Sequence, residues 1–313
     1  FSPDGRRAYV SNRLDDSVSV IDVAAREVVR TIAAGDEPHG LLTDRSGTTL
    51  FVANTAGDSI SVIDIASGEE RRRVPASRNP WSVALSPDGE RLLVTNALSR
   101  FVGFRRPSMS EVTVVGATEG RIEDRWVVPE TNLLMGVAWH PSGEYALVTL
   151  NRTKNLVPMT RILQGWTITN GIGLLWADGT VDQLLLDEPN RYFADVADVA
   201  FSPDGTTALV TSSGTDQVAV IDVEKLVALV RGVSDEDRRE VLPLALCLFL
   251  PWALGGTLAL GLTAVVARAL RWWRSLSRRA LSARRRAVTS RTMQRTSSPP
   301  QGTMRASNSR SPW

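Results

Sequence analysis

The sequence has almost no cysteine and almost no histidine. Cys247 is the only cysteine among 313 residues, which excludes an intrachain disulfide, a cysteine zinc site and a Cys-x-x-Cys-His haem attachment. His39 and His140 are the only histidines, and both occupy structural positions of the repeat described below. We therefore expect no cofactor in this chain and no identifiable catalytic constellation. A non-enzymatic role is favoured, although acid–base chemistry by carboxylates stays open.

Acidic residues are missing from the last part of the chain. No Asp or Glu follows Glu240, whereas twelve arginines lie between Arg268 and Arg310. The part before Arg268 holds 24 Lys and Arg against 34 Asp and Glu, a net charge of −10 within a chain whose total is +2. Because phosphate binding needs a basic face, this acidic body argues against nucleic acid as a partner.

A tight turn of sequence Ser-Pro-Asp-Gly, or a variant of it, recurs along the chain. It ends at Gly5, Gly47 and Gly89, with an offset of 42 residues each time, and later at Gly143 and Gly205. Each turn precedes two short runs rich in β-formers, which are separated by polar turn residues. Four short strands in about 42 residues are typical of one blade of a β-propeller. The sequence therefore predicts an all-β fold of about five four-stranded blades.

The ends of these runs recur as well. Asn12, Asn54 and Asn96 close one run of each unit, and Asp22, Asp64 and Asp222 close the next. Their recurrence at one position of the repeat predicts that both sets cap turns through their own side chains rather than bind a ligand.

These residues resemble the YVTN-type β-propeller repeat found in YncE-like surface and periplasmic proteins. The resemblance covers about residues 1–230 and rests on the turns, on Tyr9-Val-Ser-Asn12 and on the Ser-Val-Ile-Asp runs. It implies a periplasmic or cell-surface location. Some relatives are fused to c-type cytochrome or peroxidase-like domains, and the long inserts and the segment Asn190 to Asp195 are similar to that group. Such relatives usually have seven blades, so five repeats predict an incomplete ring.

Two insertions interrupt the repeat, at about Phe101 to Ser110 and Asn151 to Trp166. Both fall between the second and third strands of a blade, so we expect them to share one face with the blade-to-blade links. Aromatic residues beside arginines suit a protein partner or a small anionic ligand. The alternative is that these loops only cover exposed blade edges. The candidate binding face comprises Phe104, Arg105, Arg106, Asn132, Arg152, Arg161, Trp166, Arg191, Tyr192, His39 and Trp81.

The C-terminal part differs from the rest. We divide the chain into the propeller repeats at 1–240, a hydrophobic segment at 241–270 and a basic tail at 271–313, which we expect to be disordered. Leu242 to Ala267 is uncharged and long enough for a transmembrane helix, with the following arginines on the cytoplasmic side. The alternative is a shifted reading frame, since residues 241–313 contain no Asp, Glu, Lys, Ile or Tyr.

Three functions remain open. The first is an extracytoplasmic binding or scaffold protein that uses the inserted-loop face. The second is the propeller portion of a c-type cytochrome or peroxidase-like redox protein whose haem domain is missing from this chain. The third is a lactonase-like hydrolase with carboxylates around the channel. The first is favoured, because the residues that break the repeat are the best candidates for function.

Overall fold

The computed structural model describes residues 1–104, 106–153, 168–187 and 192–232. All of them belong to one compact unit, Phe1–Leu250. The hydrophobic segment, the basic tail and the domain boundaries at 240 and 270 lie outside the described residues. No helix in the described part is long and apolar enough to cross a membrane, and Leu242 to Ala267 lies outside that part.

The described residues form five antiparallel sheets, each made from consecutive strands. Blades 2, 3 and 4 have four strands, whereas blades 1 and 5 have three. Blade 1 contains β1 (Arg7–Asn12), β2 (Ser17–Asp22) and β3 (Glu27–Ala33), and blade 2 contains β4 (Pro38–Thr43), β5 (Thr49–Asn54), β6 (Ser59–Asp64) and β7 (Glu70–Pro75). Blade 3 contains β8 (Pro80–Leu85), β9 (Arg91–Asn96), β10 (Met109–Gly116) and β11 (Arg121–Pro129). Blade 4 contains β12 (Thr131–Trp139), β13 (Tyr145–Thr153), β14 (Ile168–Trp176) and β15 (Val181–Leu185), and blade 5 contains β16 (Val196–Phe201), β17 (Thr207–Ser212) and β18 (Gln217–Asp222).

The recurring turn shapes each blade as predicted. In blade 1 the Gly5 N–H donates to the Ser2 carbonyl at 2.9 Å, and Gly5 has a φ of 70°. Gly205 repeats both features in blade 5, with the same 2.9 Å bond to Ser202 and a φ of 74°. This left-handed backbone favours glycine, which explains why the repeat keeps that residue at the end of the turn.

Hydrophobic clusters lie between neighbouring blades, and alternate residues of one strand face opposite neighbours. On β5, Leu50 and Val52 pack against blade 1, whereas Phe51 and Ala53 pack against blade 3. A strand whose two faces are both buried reads as a continuous apolar run, and this is why β5 shows no polar alternation. Similar clusters join blade 3 to blade 4 and blade 4 to blade 5.

The first strands of successive blades contact one another, which places them nearest the axis of the propeller. Hydroxyl groups join them. Thr95 on β9 accepts a hydrogen bond from the Ser82 N–H of its own blade at 3.0 Å and donates to the Met135 carbonyl of blade 4 at 2.6 Å. Thr149, at the same position of blade 4, accepts from the Gly136 N–H at 2.8 Å. Each hydroxyl thus satisfies an N–H at the irregular pairing of the first strand.

The all-β propeller fold with an incomplete ring is therefore confirmed. Blades 1 and 5 each leave one face uncovered among the described residues, with Val10 and Val218 exposed there. The other face of blade 1, which carries Tyr9 and Val18, is covered by Leu50 and Val52 of blade 2.

The fifth repeat departs from the predicted four strands. After β18 the chain forms α1 (Val223–Arg231), with Asp222 as its N-cap accepting from the Lys225 N–H at 3.1 Å. Val223, Leu226 and Val230 are buried in the cluster between blades 4 and 5. These residues are spaced at helical intervals, so the helix buries an apolar stripe in place of a fourth strand.

The recurring asparagines do not cap turns as predicted. The Asn54 side chain donates across to β6, to the hydroxyls of Ser59 at 3.1 Å and Ser61 at 2.9 Å, and accepts from the Gly35 N–H at 3.0 Å. Asn54 thus holds two strands and the preceding link together. The aspartates do cap turns, since Asp22 Oδ1 accepts from the N–H groups of Ala24 and Ala25 at 3.0 and 2.9 Å.

Candidate binding face

The loops between second and third strands and the links between blades lie at the same end of the blades, which we call the link face. In blade 3 the Ala97 N–H donates to the Asn79 carbonyl of the preceding link at 2.7 Å. Arg78, also in that link, donates to the Ser99 carbonyl at 2.7 Å, and the Ser99 hydroxyl bonds the Asn132 amide oxygen at 3.1 Å. The residues that lead into the first insertion are therefore held by the preceding link and by the start of β12.

A buried carboxylate fixes the base of this insertion. Glu111 on β10 forms ion pairs with Arg100 Nε at 3.3 Å and with Arg125 Nη1 at 3.1 Å. Its carboxylate also accepts a hydrogen bond from the Ser77 hydroxyl. Sequence reasoning missed this residue, although a signal was present, because Glu111 stands where blades 1 and 2 carry Ser17 and Ser59.

The tip of the insertion is exposed and aromatic. We call residues 98–107 the aromatic loop. Phe101 and Phe104 are 87% and 91% exposed. The Arg78 guanidinium lies 4.0 Å from the centroid of the Phe101 ring, a cation–π contact, and the Arg106 N–H closes a turn on the Gly103 carbonyl at 3.0 Å. The protein thus presents two aromatic rings on an anchored base.

A second group lies where the first strands of blades 2 and 3 begin. The rings of His39 and Trp81 stack with centroids 3.7 Å apart, and the Arg13 guanidinium lies 5.7 Å from the Trp81 ring. His39 Nδ1 lies 3.1 Å from the Trp81 carbonyl oxygen, which can only accept, so Nδ1 carries the proton in this bond. Burial lowers the pKa of His39, and the Arg13 charge lowers it further. The ring is therefore neutral near pH 7, with Nε2 left as an acceptor.

The second insertion begins beside another ion pair. Arg152 on β13 pairs with Glu130 in the link that leads into blade 4. Burial lowers the pKa of the Arg152 guanidinium. Asp187 accepts from the N–H groups of Asn170 at 2.6 Å and Phe193 at 2.9 Å, which positions the chain next to Tyr192, a partly exposed residue.

The predicted face is thus only partly described. Phe104, Arg106, Asn132, Arg152, Tyr192, His39 and Trp81 are described, whereas Arg105, Arg161, Trp166 and Arg191 lie outside the described residues. Asn132 lies beside the aromatic loop, and Arg152 and Tyr192 belong to blade 4 and to the link that follows it. His39 and Trp81 form a separate group nearer the axis.

The other histidine has a structural environment. His140 stacks on Tyr145 at 4.7 Å, and its two ring nitrogens lie 2.8 Å from the Ser142 hydroxyl and 3.1 Å from the Gly205 carbonyl. Burial raises the pKa of Tyr145 to about 12. Within the described ranges no three His, Cys, Asp or Glu side chains are grouped closely enough to hold a metal ion.

Comparison with known proteins supports the fold. A family model described as lactonase, 7-bladed beta-propeller, matches residues 1–74. Hydrazine synthase subunit beta of Kuenenia stuttgartiensis is 31% identical over 128 residues, which are 40% of this chain and 33% of that protein. The matched stretch therefore spans about a third of that relative's length.

Solved structures extend the likeness along the chain. Kuenenia stuttgartiensis hydrazine synthase superposes with a TM-score of 0.56 at 23% identity, covering 78% of this chain and 82% of that chain. Dihydro-heme d1 dehydrogenase NirN in complex with DHE gives a TM-score of 0.49 at 17% identity, covering 70% and 42% of the two chains. The family model, the hydrazine synthase subunit and the first of these structures confirm the predicted resemblance to β-propeller repeat proteins.

Proposed function

We propose that this chain is an extracytoplasmic β-propeller that binds a protein partner through its link face, with the aromatic loop as the main contact. The proposed location outside the cytoplasm follows from the resemblance to YncE-like surface and periplasmic proteins. The hydrophobic segment Leu242 to Ala267 lies outside the described residues. The proposed binding role therefore does not depend on membrane anchoring.

The observation that carries this proposal is the exposure of Phe101 and Phe104 on a loop with a fixed base. Large apolar side chains at 87% and 91% exposure lose contact with water when a partner covers them. The base is already ordered by Arg78, Ser99 and Glu111, so little conformational entropy opposes binding. Aromatic residues and arginine are the types that dominate protein–protein contacts.

The printed name of the relative agrees with a role in an assembly. Hydrazine synthase subunit beta is named as a subunit, and it is similar to 40% of this chain. By analogy, the propeller here would serve as one component of a larger protein complex.

The resemblance to propellers fused to c-type cytochrome or peroxidase-like domains supports a second candidate, the propeller portion of a redox protein. In that case the haem would be held by residues outside this chain, because Cys247 is its only cysteine. Among the described residues, His39 could offer only one neutral imidazole, and His140 has both ring nitrogens engaged. The genomic sequence after the Leu242 codon tests this candidate, since a Cys-x-x-Cys-His motif in another frame would support it and its absence would oppose it.

Site-specific photo-crosslinking tests the binding proposal. A photo-reactive benzoylphenylalanine replaces Phe101, and in a matched control it replaces Glu69, an exposed residue in the turn between β6 and β7 at the opposite end of blade 2. We expect position 101, and not position 69, to crosslink to one protein that mass spectrometry identifies. No crosslink at position 101, or equal crosslinking at both positions, would contradict the proposal.

A further inference from the structure

A second exposed apolar side chain lies on the link face, in the turn between β1 and β2 of blade 1. The described part of blade 1 contains no counterpart of β4, so β1 and β2 correspond to the second and third strands of the four-stranded blades. We call residues 13–16 the acidic turn. Leu14 is 97% exposed at its tip and is followed by Asp15 and Asp16, both exposed. This loop occupies the same place in blade 1 that the aromatic loop occupies in blade 3, so both point out of the same end of the propeller.

The two loops are complementary in charge. The aromatic loop contains Arg100, Arg105 and Arg106 and no acidic residue. Arg100 pairs with Glu111, whereas Arg106 is exposed and has no ion-pair partner within the described residues. In the acidic turn the only cation, Arg13, pairs with Glu37 at 2.6 Å, which leaves the turn with net negative charge. Each loop therefore has an exposed apolar tip, and the aromatic loop is positively charged whereas the acidic turn is negatively charged.

The two loops are fixed to different parts of the propeller, so their described residues do not contact each other within one chain. The Asp16 carbonyl accepts from the Ala34 N–H at 2.9 Å, and the Asp16 carboxylate accepts from the Glu37 N–H at 2.9 Å. These bonds hold the acidic turn to the link between blades 1 and 2. The aromatic loop is held by Arg78 to the link before blade 3 and by Asn132 to the start of β12 in blade 4.

We propose that the protein partner of the aromatic loop is a second copy of this chain. Two copies face each other through their link faces, related by a two-fold axis. The aromatic loop of each copy covers Leu14 of the other, and Arg106 lies beside Asp15. A two-fold contact of this kind is made twice, so each favourable pair counts twice and the assembly closes as a dimer. This inference rests on the proposed protein-binding role of the link face.

Charge exchange between two variants tests the contact. In the full chain, Arg106→Glu places like charges together at both copies of the contact, and Asp15→Lys does the same. We expect each variant to dissociate at about tenfold higher concentration than the unchanged protein in sedimentation-velocity experiments at low salt. An equimolar mixture of the two variants should regain the dimer, because both contacts then join opposite charges. Raising the salt to about 0.5 M should weaken the unchanged dimer.

The apolar part and a matched control complete the test. Phe101→Ser with Phe104→Ser should give a monomer, whereas Val218→Thr with Val220→Thr, on the uncovered face of blade 5, should leave the dimer unchanged. Circular dichroism should show the same β-rich spectrum for every variant.

A monomer of the unchanged chain at all concentrations would overturn the inference, as would a mixture that stays monomeric or a dimer lost through Val218→Thr and Val220→Thr. Crosslinking from position 101 to a different protein, with a monomeric mass, would overturn the second-copy partner and leave the proposed binding role standing. Failure of crosslinking from position 101 to any protein would instead contradict the binding role itself.

Discussion

Arg100 Nε lies 3.3 Å from the carboxylate of Glu111, and this pair joins the aromatic loop to the buried third strand of blade 3. The Glu111 side chain is buried, whereas Arg100 and Arg125 are about half exposed. The carboxylate therefore depends on its partners for compensation, while the arginines remain partly solvated. The contact links the stability of a blade to the position of an exposed loop.

Replacing Glu111 with Gln should loosen this loop. We expect a loss of about 1–3 kcal/mol in the free energy of unfolding, below the range for fully buried pairs because water screens both arginines. Urea unfolding measures the loss, and hydrogen exchange should show faster exchange in residues 98–107. The control is Glu119→Gln, which removes an exposed carboxylate paired with Arg121 and should change neither quantity. Unaltered exchange in the aromatic loop would show that Glu111 does not position it.

The second prediction concerns the Thr95 hydroxyl, which hydrogen-bonds the first strands of blades 3 and 4. Thr95→Val keeps the shape of the side chain but removes the acceptor of the Ser82 N–H and the donor to the Met135 carbonyl. Because Thr95 is fully buried, we expect a loss of about 1–3 kcal/mol in the free energy of unfolding. Thr95→Ser keeps the hydroxyl and should recover a part of that loss. Equal stability of the Val and Ser variants would contradict a bridging role for the hydroxyl.

The lowered pKa of His39 predicts a dependence of stability on pH. The unfolded chain binds a proton at His39 at about pH 6.5, whereas the folded protein binds it only at lower pH, chiefly because of burial. The stabilising contribution is therefore present above about pH 6.5 and is lost as the pH falls through the pKa of the folded state. Melting temperatures from pH 7.5 to pH 5.0 should fall more steeply for the unchanged protein than for His39→Asn. Parallel curves would show that His39 does not titrate differently on folding.

The sequence predicted the blades well because one signal, the tight turn, repeats with its glycine in a left-handed conformation. Gly5 and Gly205 have this conformation at the two ends of the described blades. It also predicted correctly that the first insertion lies beside the links, since strand order alone decides which end of a blade a loop occupies.

The contacts that depend on distant residues were not predictable in the same way. Asn54 could bond its own turn or the neighbouring strand, and only the register of β5 and β6 selects Ser59 and Ser61. Glu111 acquires its role from Arg100 and Arg125, which come together only when the sheet forms. The repeat predicts a fourth strand after β18, whereas the chain forms α1, whose apolar stripe packs in the cluster between blades 4 and 5.

The most direct test of the account compares one residue type at one repeat position in two blades. Val18 is fully buried against blade 2, whereas Val218, at the corresponding position of blade 5, is 57% exposed because the described chain places no blade against it. Val18→Thr should therefore reduce the free energy of unfolding by about 1–3 kcal/mol, since it buries an uncompensated hydroxyl. Val218→Thr should change the free energy by about 0.5 kcal/mol or less, as an exposed substitution does. Equal losses for the two variants, measured by urea unfolding of the full chain, would contradict blades stacked side by side with the last face uncovered.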